Sequence, residues 1–224
     1  MIVALDSIEQ PRSGVVLYRN LETMKWLGLI AMMVDHVNVY AMGAAYPFCE
    51  FVGSLAFPFF VMAFAGGMAR RESFAYGDIG WRLILFGLLA MLFAGLVRDF
   101  IPLNILFTFA FGLTLADCIG EREWLTALAI LVLGIVVEYS VFGVVLVALA
   151  VYTARKPRGW HNVLPLLLFP FLVPFNSGNH MAIVAVCALP LLNLIPFDLP
   201  RFRGAFYWIY ALQFPVLWAL DRVV

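Results

Sequence analysis

Met24-Lys25-Trp26-Leu27-Gly28-Leu29-Ile30-Ala31-Met32-Met33-Val34-Asp35-His36-Val37-Asn38-Val39-Tyr40 is an apolar run with an acid and a histidine set inside it. A helix that spans a bilayer needs about 20 residues at about 1.5 Å each. His36 is eleven residues beyond Lys25. That puts it roughly 16 Å along the helix, about half of a hydrocarbon core roughly 30 Å thick. A carboxylate at that depth costs about 2.5–3.5 kcal/mol, so another group has to compensate for it. Asp35 and His36 therefore read either as polar groups that pack helices together or as the lining of a reaction site or proton path. Intramembrane ionisable residues favour the second reading.

The rest of the chain has the same character. Of its 224 residues 64% are hydrophobic and 12% charged, whereas a soluble domain carries about 25% charged residues. The expectation is an all-α polytopic membrane protein. Formal net charge is zero, which gives no basic field to draw nucleic acid. Cys49, Cys118 and Cys187 are odd in number and lack metal-type spacing, so they read as small apolar residues and no metal is expected. Residues 1–23 hold Asp6, Glu9, Arg12, Arg19 and Glu22 and no apolar run. They read as a cytoplasmic arm ahead of a single helical membrane domain over 24–224, whose first helix acts as the insertion signal.

Hydropathy predicts nine spanning segments: Met24 to Tyr46, Phe51 to Met68, Trp81 to Val97, Leu103 to Asp117, Trp124 to Val137, Val141 to Ala154, Val163 to Phe175, Met181 to Ile195 and Ala205 to Ala219. Pro58 is expected to kink the second. The fifth and sixth are only about 14 residues each, against about 17–25 for a usual span, and could form one tilted helix. The seventh, with Pro165, Pro170 and Pro174, could be broken or re-entrant. Charge supports the nine-segment map with a hairpin at Glu138-Tyr139-Ser140. Twelve of the fourteen Lys and Arg then share the side of the N-terminal arm, and only Arg98 and Arg222 lie opposite. The positive-inside rule places the N-terminus in the cytoplasm and the C-terminus outside.

In that orientation the outer half collects Asp35, His36, Glu50, Arg98, Asp99, Asn104, Glu138, Asn176, Asn179, His180 and Asp221. Adjacent helical residues point about 100° apart, so Asp35 and His36 each need a partner from another helix. Arg98 is the candidate for Asp35. Asn104, Glu138 and His180 are candidates for His36. No phosphate-binding glycine loop, His-Glu-x-x-His or Gly-x-Ser-x-Gly occurs, which disfavours an ATPase, a zinc protease or a serine hydrolase of known pattern.

Four blocks in order carry a resemblance. Lys25-Trp26 with Ala31-Met32-Met33-Val34-Asp35-His36, then Leu55-Ala56-Phe57-Pro58-Phe59-Phe60 with Gly66, then Trp81-Arg82-Leu83, then Leu103-Asn104-Ile105-Leu106-Phe107-Thr108 with Gly112 resemble the TraX family, proteins linked to acetylation of the pilin N-terminus. That family is similar to the wider group of integral-membrane acyltransferases, which pass an acyl group from cytoplasmic acyl-CoA to an acceptor across the membrane. The family's last helix commonly has a Tyr-Pro-x-His pattern, where this chain has Tyr210-Ala211-Leu212-Gln213.

The resemblance implies an acetyl-CoA-dependent acetyltransferase of the bacterial inner membrane, with His36 as catalyst and a pilin or a surface glycan as acceptor. Acyl transfer needs a base and an oxyanion donor. His36 suits the base or a transient acyl carrier, Asp35 its support through an intermediary or a partner for Arg98, and Asn104 the donor. Arg70, Arg71, Arg82, Arg155, Lys156 and Arg158 suit the phosphates of CoA. A small proton-coupled transporter and a non-catalytic assembly subunit remain open as alternatives.

Overall fold

The computed structural model describes residues 20–69, 76–95, 101–156, 164–176, 180, 183–185, 187, 199 and 204–223. Among these the chain is helical and contains no strand, only one isolated bridge, Leu103 with Val137. The expected eighth segment and the arm before Asn20 lie almost wholly outside the described residues.

Helix α1 (Leu21–Ala41) begins and ends earlier than hydropathy predicts. Its stop is chemical. Gly43 and Ala44 take left-handed backbone at φ 60° and 59°, and the Ala44 N–H donates back to the Asn38 carbonyl at 2.8 Å. The Asn38 side chain then clips the returning chain, donating to the Tyr46 carbonyl at 3.0 Å and accepting from the Tyr46 N–H at 2.9 Å. Pro47 opens α2 (Pro47–Gly53) at a first-turn position where its missing N–H costs nothing.

The predicted kink at Pro58 falls one turn upstream. A helical proline clashes with the carbonyl four residues before it and cannot bond it. Here that carbonyl is Ser54's, and the helix breaks at Ser54-Leu55. Pro58 itself sits in the first turn of α3 (Ala56–Ala69), where it is tolerated.

Helix α4 (Tyr76–Ala94) is followed by α5 (Ile105–Glu121), α6 (Trp124–Leu133) with a 3₁₀ turn Gly134–Val136, and α7 (Ser140–Ala154). The chain reverses between α6 and α7. The Leu103 N–H donates to the Val136 carbonyl at 2.7 Å, and the Glu138 N–H to the Leu103 carbonyl at 2.8 Å. These bonds tie the end of α6 back to the start of α5. At the other end Arg155 lies 3.8 Å from Asp117, so α5 and α7 run the same way with α6 returning between them. A single continuous helix over 124–154 is excluded. After α8 (Leu164–Leu168) the chain tightens into a 3₁₀ helix, Phe169–Asn176, as the prolines at 170 and 174 remove α-helical donors. The last helix is α9 (Ala205–Asp221).

Helix α5 is central and packs on α7, α4 and α6, while α1 packs on α2, α3 and α9. The α5–α7 seam is close because it is built on small residues. A Cβ on Gly112 would lie 2.5 Å from Val147 Cβ and 3.0 Å from the Val144 carbonyl.

The outer faces stay apolar at helical spacing: Trp81, Leu85, Leu88 and Leu92 on α4, Leu125, Leu128 and Val132 on α6, and Trp208, Leu212, Val216 and Leu220 on α9 are all exposed. Two stretches, Pro47–Ala69 and Gly77–Ala94, are long and apolar enough to cross a bilayer by length and composition. Helix α1 is as long, but it carries Glu22, Lys25 and Asp35.

Gly112→Leu should overpack the α5–α7 seam and cost about 1–3 kcal/mol. Thermal unfolding in detergent reads this as a lowered midpoint, against Gly77→Leu, whose site has open space.

Candidate functional site

Asp35 and His36 lie in the C-terminal part of α1. Because α1 starts at Leu21 and ends at Ala41, His36 is about 22 Å from its start and about 7.5 Å from its end. The site is therefore nearer one end of the bundle than a count from Lys25 suggests. The other segments that meet there are the loop before α5, the α6–α7 turn and the end of the second 3₁₀ helix.

These elements border an open cavity of about 470 Å³ lined by Asp35, His36, Val39 and Tyr40 of α1, by Pro102, by Val137, Glu138, Tyr139 and Ser140 of the turn, and by Phe175. A second cavity of about 50 Å³ shares Asp35, His36, Glu138 and Tyr139 with it and reaches inward to Met32, Gly53, Phe57, Phe60 and Tyr210. One water needs about 10–15 Å³, so the inner space has room for a few.

As their angular offset requires, the acid and the imidazole turn to different elements. Asp35 packs on the bare backbone of α2: a Cβ on Gly53 would come 2.6 Å from Asp35 Cγ. Asp35 Oδ1 is buried and has no hydrogen-bond partner among the described residues. His36 Nδ1 lies 3.0 Å from Gln213 Oε1 on α9. Its ring stands edge-on to Tyr40, with centroids 5.5 Å apart, and lies 6.0 Å from Phe214.

Tyr139 is set by strain and stacking. It and Ser140 take left-handed backbone at φ 61° and 51°, an uncommon choice for side-chain-bearing residues that concentrates at functional sites. Its ring stacks on Phe57 at 4.1 Å and 8°. A Cβ on Gly143 would collide with Tyr139 Cβ at 2.6 Å, so this glycine makes room for the turn. Thr108 Oγ1 donates to the Glu138 carbonyl at 2.7 Å and pins the turn to α5. Burial, then the neighbouring Glu138 and Asp35 carboxylates, push the Tyr139 phenol up, so it stays protonated and can donate.

Other expected members fall elsewhere. Asn104, expected as an oxyanion donor, is fully buried and lines neither cavity. Its oxygen accepts from the Leu106 N–H at 3.1 Å and caps α5, while its amide donates to the Gly87 carbonyl at 2.8 Å and holds α4. Nor does it reach His36, whose observed partner is Gln213. His180 is exposed and lines neither cavity. Arg98, expected beside Asp35, lies outside the described residues, as do Arg70, Arg71 and Arg158.

Of the remaining cations expected to hold CoA phosphates, Arg82 is exposed on α4 and Arg155 faces Asp117. Lys156 Nζ sits 4.2 Å over the Tyr152 ring. Arg155 and Lys156 sit at the end of α7 opposite the cavities. Among the described residues no group of three or more His, Cys, Asp or Glu is placed to hold a metal ion.

Tyr139 and Gly53 are the residues that sequence reasoning passed over, and Gln213 was singled out there only as standing where the family's last helix carries histidine. Gln213 did leave a signal, as a buried amide inside an apolar helix, but nothing local connects it to a ring 177 positions away.

Asn104→Ala should remove both the cap and the α4 tie and cost about 1–3 kcal/mol. The expected result is a lowered unfolding midpoint in detergent, with the environment of His36 unchanged by NMR.

A family model described as TraX protein matches residues 20–221. No curated protein and no solved structure matches the chain. The match runs past the four blocks in the N-terminal half to include the α6–α7 turn and α9, the elements that supply Tyr139 and Gln213. The chain belongs to the TraX family.

Proposed function

We propose that this chain is a multi-pass protein of the bacterial inner membrane that transfers acetyl from cytoplasmic acetyl-CoA to an amine or hydroxyl at the outer face, on a protein N-terminus such as that of a pilin or on a surface glycan. The observation that carries this reading is His36 lining a cavity of about 470 Å³ together with Asp35, Glu138 and the Tyr139 phenol.

Membrane placement is supported by the exposed apolar stripes on α4, α6 and α9, since contiguous exposed apolar surface marks contact with lipid or a partner. This reading takes α1, α2 with α3, α4, α5, α6, α7, α8 with its 3₁₀ extension and α9 each as one crossing, and keeps the ninth that hydropathy predicts over Met181 to Ile195. Lys25, Arg82, Arg122, Arg155 and Lys156 then occupy the cytoplasmic end, and the cavity faces outward.

The chemistry assigned to the site balances as follows. His36 accepts a proton from the acceptor N–H or O–H while the acceptor lone pair attacks the thioester carbonyl carbon. The Tyr139 phenol donates to the oxyanion that develops. As the tetrahedral intermediate collapses, the C–S bond breaks, and the departing thiolate takes the proton from the imidazolium. Asp35 and Glu138 favour that transient positive charge.

With radiolabelled acetyl-CoA, His36→Ala at unchanged expression should lower label transfer to the membrane fraction by about 10²–10⁴-fold, the usual share of a general base. Transfer at the wild-type rate overturns the assignment. A substrate-dependent ion current lost in His36→Ala without acetyl-CoA binding favours a transporter instead. In a background with Cys49, Cys118 and Cys187 replaced, a membrane-impermeant thiol reagent applied from outside should label Ser140→Cys and not Lys156→Cys. The reverse pattern inverts the topology.

A further inference from the structure

We infer that Gln213 is a positioning residue that fixes the tautomer of His36, holding the ring proton on Nδ1 and the lone pair on Nε2. The distance from His36 Nδ1 to Gln213 Oε1 is 3.0 Å, the length of a good hydrogen bond. With the amide oxygen turned to the ring, as here, the proton in that bond belongs to the ring, and the amide nitrogen, facing away, is buried without a hydrogen-bond partner among the described residues. A neutral imidazole carries one N–H, and with Nδ1 protonated Nε2 is the basic nitrogen.

The surroundings make this contact a constraint. Gln213 is 3% exposed and is followed by the buried Phe214, whose ring lies 6.0 Å from that of His36. Tyr210, one turn earlier on α9, packs edge-on to Phe214 at 5.8 Å and lines the inner cavity. The amide therefore comes from a buried helix face packed against the site. Among the described residues, the titratable groups that line the cavities with the ring are Asp35 and Tyr40 on α1, Glu138 and Tyr139 on the turn and Tyr210 on α9. Each of them bears on the charge of the ring. The Gln213 oxygen is the acceptor seen at Nδ1 itself.

A neutral acceptor here has a consequence that a carboxylate lacks. A carboxylate at Nδ1 favours the doubly protonated, charged ring. An amide orients the ring and selects its tautomer without adding to the negative charge of Asp35 and Glu138 nearby. The catalytic meaning of this tautomer rests on the acyl-transfer reading above. The tautomer itself does not, and it is measured without any turnover.

The test is ¹⁵N NMR of the full chain labelled in histidine, in detergent or nanodiscs, with the His36 signals assigned by their loss in His36→Ala. Wild type should show a protonated Nδ1 and an unprotonated Nε2. Gln213→Met, similar in length but with only a weak thioether acceptor, should move the proton to Nε2 or mix the two forms. Gln213→Glu, which restores an acceptor and serves if the Met variant does not fold, should keep Nδ1 protonated and protonate Nε2 as well.

A wild-type ring with its proton on Nε2 overturns the inference, because the amide is then turned round. So does an unchanged tautomer in both variants. If the wild type transfers acetyl, Gln213→Met should lower kcat with KM held. A wild type that shows the predicted tautomer but transfers no acetyl refutes the acyl-transfer reading and leaves the tautomer assignment standing.

Discussion

A polar ring in an apolar helix has to find its partner on another helix, and in this chain it finds it on the last one. The His36–Gln213 contact joins α1 to α9, helices at opposite ends of the sequence. An interhelical hydrogen bond in a lipid-like setting is worth only about 0.6–2 kcal/mol, so it does not hold the bundle together by itself. It does restrict the bundle: α9 must present position 213 to α1, and Tyr210 and Phe214 come with it on the same face. The inner wall of the site follows from that one registration.

The outer wall is set by a different device. The α6–α7 turn is tied to the start of α5 by two backbone hydrogen bonds around Leu103 and by the hydroxyl of Thr108. Asn104 locks the same point to α4 by capping α5 with one end of its amide and reaching Gly87 with the other. Glu138 and Tyr139 are thereby fixed against Asp35 and His36 although they stand about a hundred positions later in the chain. The strained backbone at Tyr139 and Ser140 persists because Gly143, Phe57 and Thr108 leave the turn no other place to go.

Glycine works in this protein mainly through absent side chains. Gly53 gives Asp35 a seat on α2, Gly143 gives Tyr139 room to turn, and Gly112 lets α5 and α7 approach. Each is a point where one methyl group would displace a residue of the site or of the scaffold behind it. Small residues at such points are what let helix backbones approach closely.

How much of this was legible beforehand follows from the range of each interaction. The helical character, the apolar surface, the acid–histidine pair, the hairpin at Glu138-Tyr139-Ser140, the broken proline-rich segment and the family all follow from composition, spacing and local motifs, because they depend on neighbours within a turn or two. The break at Ser54-Leu55 was within reach of the same reasoning, since a proline acts on the carbonyl four residues before it. The mate of His36, the structural duty of Asn104 and the entry of Tyr139 into the site were not legible. Each is decided by which helix faces meet, and an apolar chain with few charges carries almost no local mark of that. Sequence alone determined that a buried acid and imidazole must be compensated. Only the tertiary packing decided that a glycine backbone, a distant amide and a strained tyrosine turn would be the groups around them.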